Sequence, residues 1–282
     1  MTAPGRGPTP GAARVGPGAD GGRGGGRDRR RAPGTVSARM RAVVVLPTYD
    51  EAQNIETFLR AVRDAAPDVD VLVVDDGSPD GTALIADRIG RELGRIEVLN
   101  RPGKSGLGSA YRDGFAHVLD RYDVVVTMDA DLSHDPARIP DLLELIEAGA
   151  DLVIGSRYVT GGGTTDWPVR RQLLSKWGNA YTRSILGVAP RDCTGGYRAY
   201  RATKLAEVDP TSTSAEGYAF MTELVRRLHD AGATIVETPI IFRDRTRGTS
   251  KMSGRIILES MVLVTRWGLS DRLRRTRRRA AR

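Results

Sequence analysis

The 282 residues, 40% hydrophobic and 28% charged, allow one large or two small domains with a sizeable core. Glu259 interrupts the most apolar stretch before it reaches bilayer-spanning length, and a single cysteine, Cys193, excludes an internal disulfide and a cysteine-based zinc site. The net charge of +8 resides at the ends: residues 1–39 hold eight Arg and two Asp, residues 271–282 hold seven Arg and one Asp, and the rest carries 28 basic against 32 acidic side chains. Such tails suit an anionic surface, but the acidic body and only 5% aromatic residues argue against a nucleic-acid-binding protein.

Residues 1–39, with eleven Gly and five Pro, bury too little to offset chain entropy and are expected to be disordered. They contain no apolar block of signal-peptide length, which predicts a chain that stays in the cytoplasm. Folding is expected from Met40. The runs Ala42 to Leu46, Val71 to Val74, Val124 to Met128 and Leu152 to Ile154 are short, β-branched and continuous, as strands buried on both faces are. Between them, Ile55, Phe58, Leu59 and Val62 recur at helical spacing. Leu84, Ile85 and Ile89 follow the turn Asp80-Gly81-Thr82, and Ile139, Leu142, Leu143 and Ile146 repeat the pattern.

Further helices are predicted over 168–186, with Pro168 in the first turn, and over 214–231, ending near Gly232; a strand is expected over 234–242. Residues 255–269 form a broad apolar helical face, followed by a basic tail over 270–282. That helix either lies in a membrane interface, with the arginines attracted to an anionic leaflet, or packs on the domain as a core helix. Alternating strands and helices predict an α/β fold with a mostly parallel central sheet over 40–254. Such sheets bind ligands beyond the carboxyl ends of their strands.

Polar clusters fall at those ends. Pro47-Thr48-Tyr49-Asp50-Glu51 follows the first strand, where the absence of G-x-G-x-x-G argues against a nicotinamide or flavin enzyme. Asp75-Asp76-Gly77-Ser78-Pro79-Asp80-Gly81 follows the second and, taken alone, reads as a turn. Asp129-Ala130-Asp131-Leu132-Ser133-His134 follows the third. Its two carboxylates at i and i+2 point the same way on extended backbone and suit a hard divalent ion that bridges carboxylates to substrate phosphates. Pro102-Gly103-Lys104-Ser105 imitates the end of a P-loop, but Val98 stands where the first glycine is required, which argues against a nucleotide triphosphatase. Gly103, Gly106 and Gly108 still suit close approach of a phosphorylated ligand beside Lys104.

In order along the chain, the clusters at 47–51, 73–82 and 129–134 are joined by Gly-Ser-Arg-Tyr (155–158), Arg-Gln-Leu-Leu-Ser-Lys (171–176), Cys-Thr-Gly-Gly-Tyr (193–197) and Arg-Thr-Arg-Gly-Thr-Ser-Lys (245–251). Over residues 41–255 this set resembles the polyprenol-phosphate (dolichol-phosphate) mannose synthases, inverting glycosyltransferases of family 2 with a GT-A nucleotide-sugar domain. The resemblance implies transfer of mannose from GDP-mannose to a polyprenyl phosphate. It places Pro47, Tyr49, Glu51, Val74 and one or both of Asp75 and Asp76 around the guanosine, and Asp129, Ala130 and Asp131 at metal and diphosphate. Many relatives have Gln where this chain has Ser133, whose hydroxyl can also bind Mg²⁺ or Mn²⁺. Arg157 is similar to the diphosphate-side arginine, Arg171 and Ser175 to the residues that receive the lipid phosphate, and Arg245, Arg247 and Lys251 to a basic loop closing over the phosphates. A UDP-sugar-dependent relative transferring glucose or an N-acetylhexosamine keeps the same motifs. The implied setting is peripheral, on the inner face of the cell membrane, where a membrane-resident partner retains the domain.

Overall fold

The computed structural model describes residues 40–244 and 254–280. The tail over 1–39 and the basic residues Arg245, Arg247 and Lys251 lie outside the described residues. In chain order the elements are β1 (Ala42–Thr48), α1 (Ile55–Ala65), β2 (Asp70–Asp75), α2 (Thr82–Leu93), β3 (Ile96–Asn100), α3 (Leu107–Val118), β4 (Val124–Thr127), α4 (Ile139–Glu147), β5 (Leu152–Ser156), β6 (Gly163–Thr165), α5 (Val169–Leu186), β7 (Arg198–Arg201), α6 (Ala202–Glu207), α7 (Tyr218–Asp230), β8 (Ile235–Pro239), β9 (Ile241–Arg243) and α8 (Gly254–Ala280).

Seven strands form one sheet in the order β3-β2-β1-β4-β7-β5-β8, and β6 pairs with β9 in a separate ribbon. Every pairing in the large sheet is parallel except those of β7, which runs antiparallel to both neighbours and places Ala199 between Val126 and Val153. Side chains alternate across the pleat. Val44, Leu46, Val71, Val73 and Val126 therefore join the core under α1, α2 and α4, while Val43, Val45, Leu72, Val74 and Val125 join the core under α3 and α7. Helices on both faces explain why the central strands read as unbroken apolar runs.

Several boundaries differ from the sequence expectation. Ile55, Phe58, Leu59 and Val62 are buried on α1 as the spacing predicts, but Leu84 is exposed; Ala86 and Ile89 carry the buried face of α2. Pro168 precedes the first residue of α5 instead of lying inside its first turn. The segment 214–217 is irregular before α7, with Gly217 in the left-handed region at φ 56°. The strand expected over 234–242 is divided at Ile240, so β8 joins the large sheet and β9 the ribbon. The helix and tail expected over 255–269 and 270–282 are one helix through Ala280, because Arg sustains a helix almost as well as Ala or Leu. Among the described residues no helix is long and apolar enough to cross a membrane.

Candidate active site

The carboxyl ends of β1, β2 and β4 open into one cavity of about 1010 Å³. Pro47, Tyr49 and Glu51 line it from β1, Asp76 and Lys104 from the turns after β2 and β3, and Asp129, Ala130 and Asp131 from the turn after β4. Four separate motifs thus share one space because parallel strands deliver their ends to one edge. Lys104 Nζ lies 3.9 Å from the centroid of the Tyr49 ring, a cation–π contact between two residues that line the cavity.

The turn at 75–81 is both a turn and a support. Asp75 faces inward: it accepts from Thr48 Oγ1 at 2.9 Å and from Ser78 N and Oγ at 2.8 and 2.7 Å. Asp80 accepts from Ala52 N at 3.0 Å and Thr82 Oγ1 at 2.6 Å, which fixes the loop carrying Glu51. Asp76 pairs with Arg101 and accepts from Ser105 N and Gly106 N, each at 2.9 Å, holding the Lys104 loop against the turn. Gly77 makes this docking possible: a Cβ there would stand 2.7 Å from Gly103 Cα, and its φ of +71° disfavours any other residue. Of the nucleotide-side expectations, Asp76 borders the cavity, whereas Val74 is fully buried in the core and Asp75 is committed to the turn.

The turn after β4 has the makings of a cation site. Asp131 is buried, and one of its carboxylate oxygens accepts from Ser133 N at 3.0 Å. Ser133 Oγ is shielded from solvent and has no hydrogen-bond partner among the described residues, an arrangement that costs free energy unless something occupies it. The backbone N–H of Asp129 donates to His134 Nδ1 at 3.1 Å, so that nitrogen acts as an acceptor. Burial lowers the His134 pKa against the opposing pull of Asp129 and Asp131. His134 is therefore a neutral brace for the turn. Two carboxylates and one hydroxyl suit a hard ion that keeps water and phosphate oxygens for its remaining positions. Among the described residues there is no group of three His, Cys, Asp or Glu placed to hold a metal ion.

The cationic residues sit beside this turn. Arg157 Nε and Nη2 each donate to Asp192 at 2.7 Å, with the two side chains 8% and 0% exposed. Burial pushes the Asp192 pKa up, but the Arg157 charge and hydrogen bonds outweigh it and hold the carboxyl below its ordinary value. A line of rings connects the two halves: Phe242 packs edge-on to His134 and to Trp167, each with centroids 5.3 Å apart. The Arg157 guanidinium lies 5.7 Å from the Phe242 ring, and that of Arg171 lies 3.9 Å from the Trp167 ring. Arg171 also pairs with Asp244 at 2.9 Å, immediately before the segment that carries Arg245 and Arg247. Ser175 Oγ accepts from Tyr158 Oη at 2.5 Å. Arg157 lines a neighbouring cleft of about 460 Å³ instead of the large cavity.

A family model described as glycosyl transferase family 2 matches residues 43–209. The chain belongs to glycosyl transferase family 2. Within this family it is 47% identical to the polyprenol monophosphomannose synthase of Mycolicibacterium smegmatis, over 87% of this chain and 93% of that protein. It is 48% identical to the undecaprenyl-phosphate mannosyltransferase of Micrococcus luteus, over 83% and 96% of the two chains. Its fold is shared with glucosyl-3-phosphoglycerate synthase of Mycobacterium tuberculosis, solved with Mn²⁺, UDP-glucose and phosphoglyceric acid. That match has a TM-score of 0.61 and 22% identity, and covers 81% of this chain and 80% of the other. The chain is a GT-A type family 2 glycosyltransferase.

Three features of this family 2 site were not read from the sequence. Glu216 lines the cavity, pairs with Arg112 and accepts from Ser109 N at 3.2 Å, so the 214–217 segment closes over the start of α3. Gly108 permits that closure, since a Cβ there would stand 2.6 Å from Ala215 O. Asp192 carries no motif of its own, although it adjoins the quoted segment 193–197. The far wall of the cavity comes from α8, through Leu258, Val262 and Leu263. Cys193 is buried with its thiol pKa pushed up to about 12, which leaves it unreactive.

Proposed function

We propose that this enzyme transfers mannose from GDP-mannose to a polyprenyl monophosphate with inversion, releasing polyprenyl phosphomannose and GDP. The observation that carries the reading is the two-sided cavity: acidic and polar strand ends form one wall, and α8 contributes Leu258, Val262 and Leu263, beside Glu259 and Ser260, to the other. Leu258, Val262, Leu269 and Leu273 are 62, 50, 55 and 63% exposed. At about 100° per residue they fall on one narrow stripe of α8. The stripe begins in the cavity wall and runs outward, a path for a hydrocarbon chain whose headgroup reacts inside. The opposite face packs on the domain, where Val264 is buried and Asp271 pairs with Arg226, and beside the stripe Tyr181 Oη and Thr265 Oγ1 lie 2.6 Å apart. The packed residues support the core-helix reading, and the exposed stripe supports the interfacial one. The names of the two mannosyltransferase relatives support the same acceptor and sugar.

A phosphate monoester has a second pKa near 6, so the acceptor oxygen is largely ionised at pH 7 and attacks the sugar C1 without a strong enzymic base. That agrees with His134 being buried and its Nδ1 already engaged by the Asp129 N–H. The protein's tasks are to orient two anionic substrates and to stabilise the charge that grows on the departing diphosphate. Tyr49, Glu51, Asp76 and Lys104, which line the cavity, would hold the nucleotide. Asp129, Asp131 and Ser133 would hold Mg²⁺ or Mn²⁺, which supplies electrostatic stabilisation of the leaving group. Arg157, held in one orientation by Asp192, would face the diphosphate from the neighbouring cleft, and Arg171 with Ser175 would receive the acceptor phosphate. Arg245, Arg247 and Lys251 complete the proposal as the basic loop. The enzyme works at the cytoplasmic membrane face, attached through α8.

The test is incubation of the purified chain with labelled GDP-mannose, Mg²⁺ or Mn²⁺ and a short polyprenyl phosphate, followed by organic extraction. Label in the organic phase supports the proposal. Transfer from UDP-glucose or a UDP-N-acetylhexosamine, but not from GDP-mannose, would replace the donor; no transfer to lipid phosphate from any donor would remove the proposal.

A further inference from the structure

A second cleft, of about 460 Å³, runs along α5 and has a different character from the first. Arg157 and Tyr158 border it at the end of β5, Lys176, Ala180 and Arg183 from α5, and Arg191 from the loop before β7. Positions 176, 180 and 183 are four and three residues apart and therefore share one face of the helix. Arg157 is neutralised by Asp192. Lys176, Arg183 and Arg191 make no ion pair among the described residues. Arg183 Nε is shielded from water and has no hydrogen-bond acceptor there. The nearby carboxylates are already committed: Asp192 to Arg157, and Glu237 to the backbone N–H groups of Arg191 and Asp192 at 2.8 and 2.9 Å.

Converging unpaired cations repel one another, and a buried guanidinium N–H without an acceptor carries a desolvation penalty. An anion in the cleft relieves both. A guanidinium fork matches the oxygens of a phosphate group, and an ammonium adds a mobile point charge. The rim identifies the source of that phosphate. Val169, Leu173 and Trp177 on α5 are 69, 61 and 51% exposed. At about 100° per residue they fall within roughly a third of a turn of Lys176, Ala180 and Arg183. Apolar side chains beside a cationic recess suit an anionic group that carries hydrocarbon.

We infer that the part of this cleft lined by Lys176, Arg183 and Arg191 binds the phosphate headgroup of an anionic membrane lipid, with Arg157, already paired with Asp192, left to the reaction side. The assignment is independent of which sugar and which acceptor the cavity takes. Bound there, the lipid would seat α5 against the bilayer as a second attachment besides α8.

The experiment compares the full-length protein with the Arg183→Gln/Arg191→Gln variant and with Arg41→Gln/Arg91→Gln, which removes equal charge from exposed positions elsewhere. Binding is read by co-sedimentation with phosphatidylglycerol vesicles and with phosphatidylcholine vesicles. The cleft variant is expected to bind phosphatidylglycerol vesicles about tenfold more weakly, with the control variant within about twofold of wild type. In detergent, the cleft variant keeps the wild-type KM for a short polyprenyl phosphate. In the unaltered protein, short-chain phosphatidylglycerol shifts the Arg183 Nε–H resonance saturably, and inorganic phosphate at equal concentration does not; this arm stands alone if the variant fails to fold. Equal losses in both variants would show diffuse attraction and overturn the site. A raised acceptor KM would assign the cleft to the acceptor, and saturation by inorganic phosphate would make it a free-anion site. Either result also overturns the proposal.

Discussion

Replacing Asp192 with asparagine isolates the contribution of one buried charge that aims another. The Asp192 side chain is fully buried, and it receives Arg157 Nε, Arg157 Nη2, Arg157 N and Gly195 N. Asparagine keeps the shape and one acceptor oxygen, but it turns an amide NH₂ toward the guanidinium and removes the carboxylate charge that faces Arg157 in a dry environment. Breaking a buried pair costs about 3–5 kcal/mol, and the surviving acceptor places this substitution near the lower end, about 3 kcal/mol. Urea unfolding at constant slope measures it as a shift in midpoint. Because the native carboxyl is held below its ordinary value, its contribution is complete above the unfolded pKa of about 3.9 and is lost as pH falls through the native pKa. The difference between wild type and variant is thus constant from pH 7 to about pH 5 and narrows below about pH 4. A difference under about 1 kcal/mol at pH 7, or one that widens in acid, would refute the claim that this pair is a tight buried interaction.

Asp131→Ala is expected to abolish mannosyl transfer; near-normal turnover with excess Mg²⁺ or Mn²⁺ would contradict the cation site. Ser133→Ala removes a buried hydroxyl that has no partner among the described residues, so thermal stability should stay within about 1 kcal/mol of wild type while Mn²⁺ affinity, read by titration in the presence of GDP, falls about tenfold. Gly108→Ala forces a methyl against Ala215 O and is expected to cost about 1–3 kcal/mol and to raise the donor KM, measured by thermal unfolding and initial rates. Truncation after Arg272 keeps the Asp271–Arg226 pair and removes most of the terminal arginines. It should weaken binding to anionic vesicles without lowering the melting temperature, whereas unchanged co-sedimentation at low salt would detach the helix end from that role.

The strands that position the site were legible because β1, β2, β4 and β5 are buried on both faces and leave a continuous β-branched signature. The acidic pair and the tyrosine loop were legible for the same reason: they follow those runs directly. β7 was not, since Arg-Ala-Tyr-Arg resembles an exposed segment. Arg198 is nevertheless fully buried, its guanidinium satisfied by the carbonyls of Cys193, Gly195 and Met221 at 2.7 to 2.8 Å, a solution that exists only in three dimensions. β3 escaped notice as a partly exposed edge strand. The Arg157–Asp192 pair spans 35 residues, and no periodicity relates its members. The length of α8 was misjudged because a run of arginines reads as a tail by composition, although its helix propensity is high.

The reversal of β7 has a mechanical corollary. A strand parallel to its neighbours would present its finish at the reactive edge; an inverted one presents its beginning, so residues 192–197 arrive where β4 and β5 depart. Gly196 accepts from Thr127 Oγ1 at 2.7 Å and lies against Asp129, and Asp192 clasps Arg157. One short span therefore gauges the separation between the acidic and cationic halves, and a slip of that strand would disturb both together.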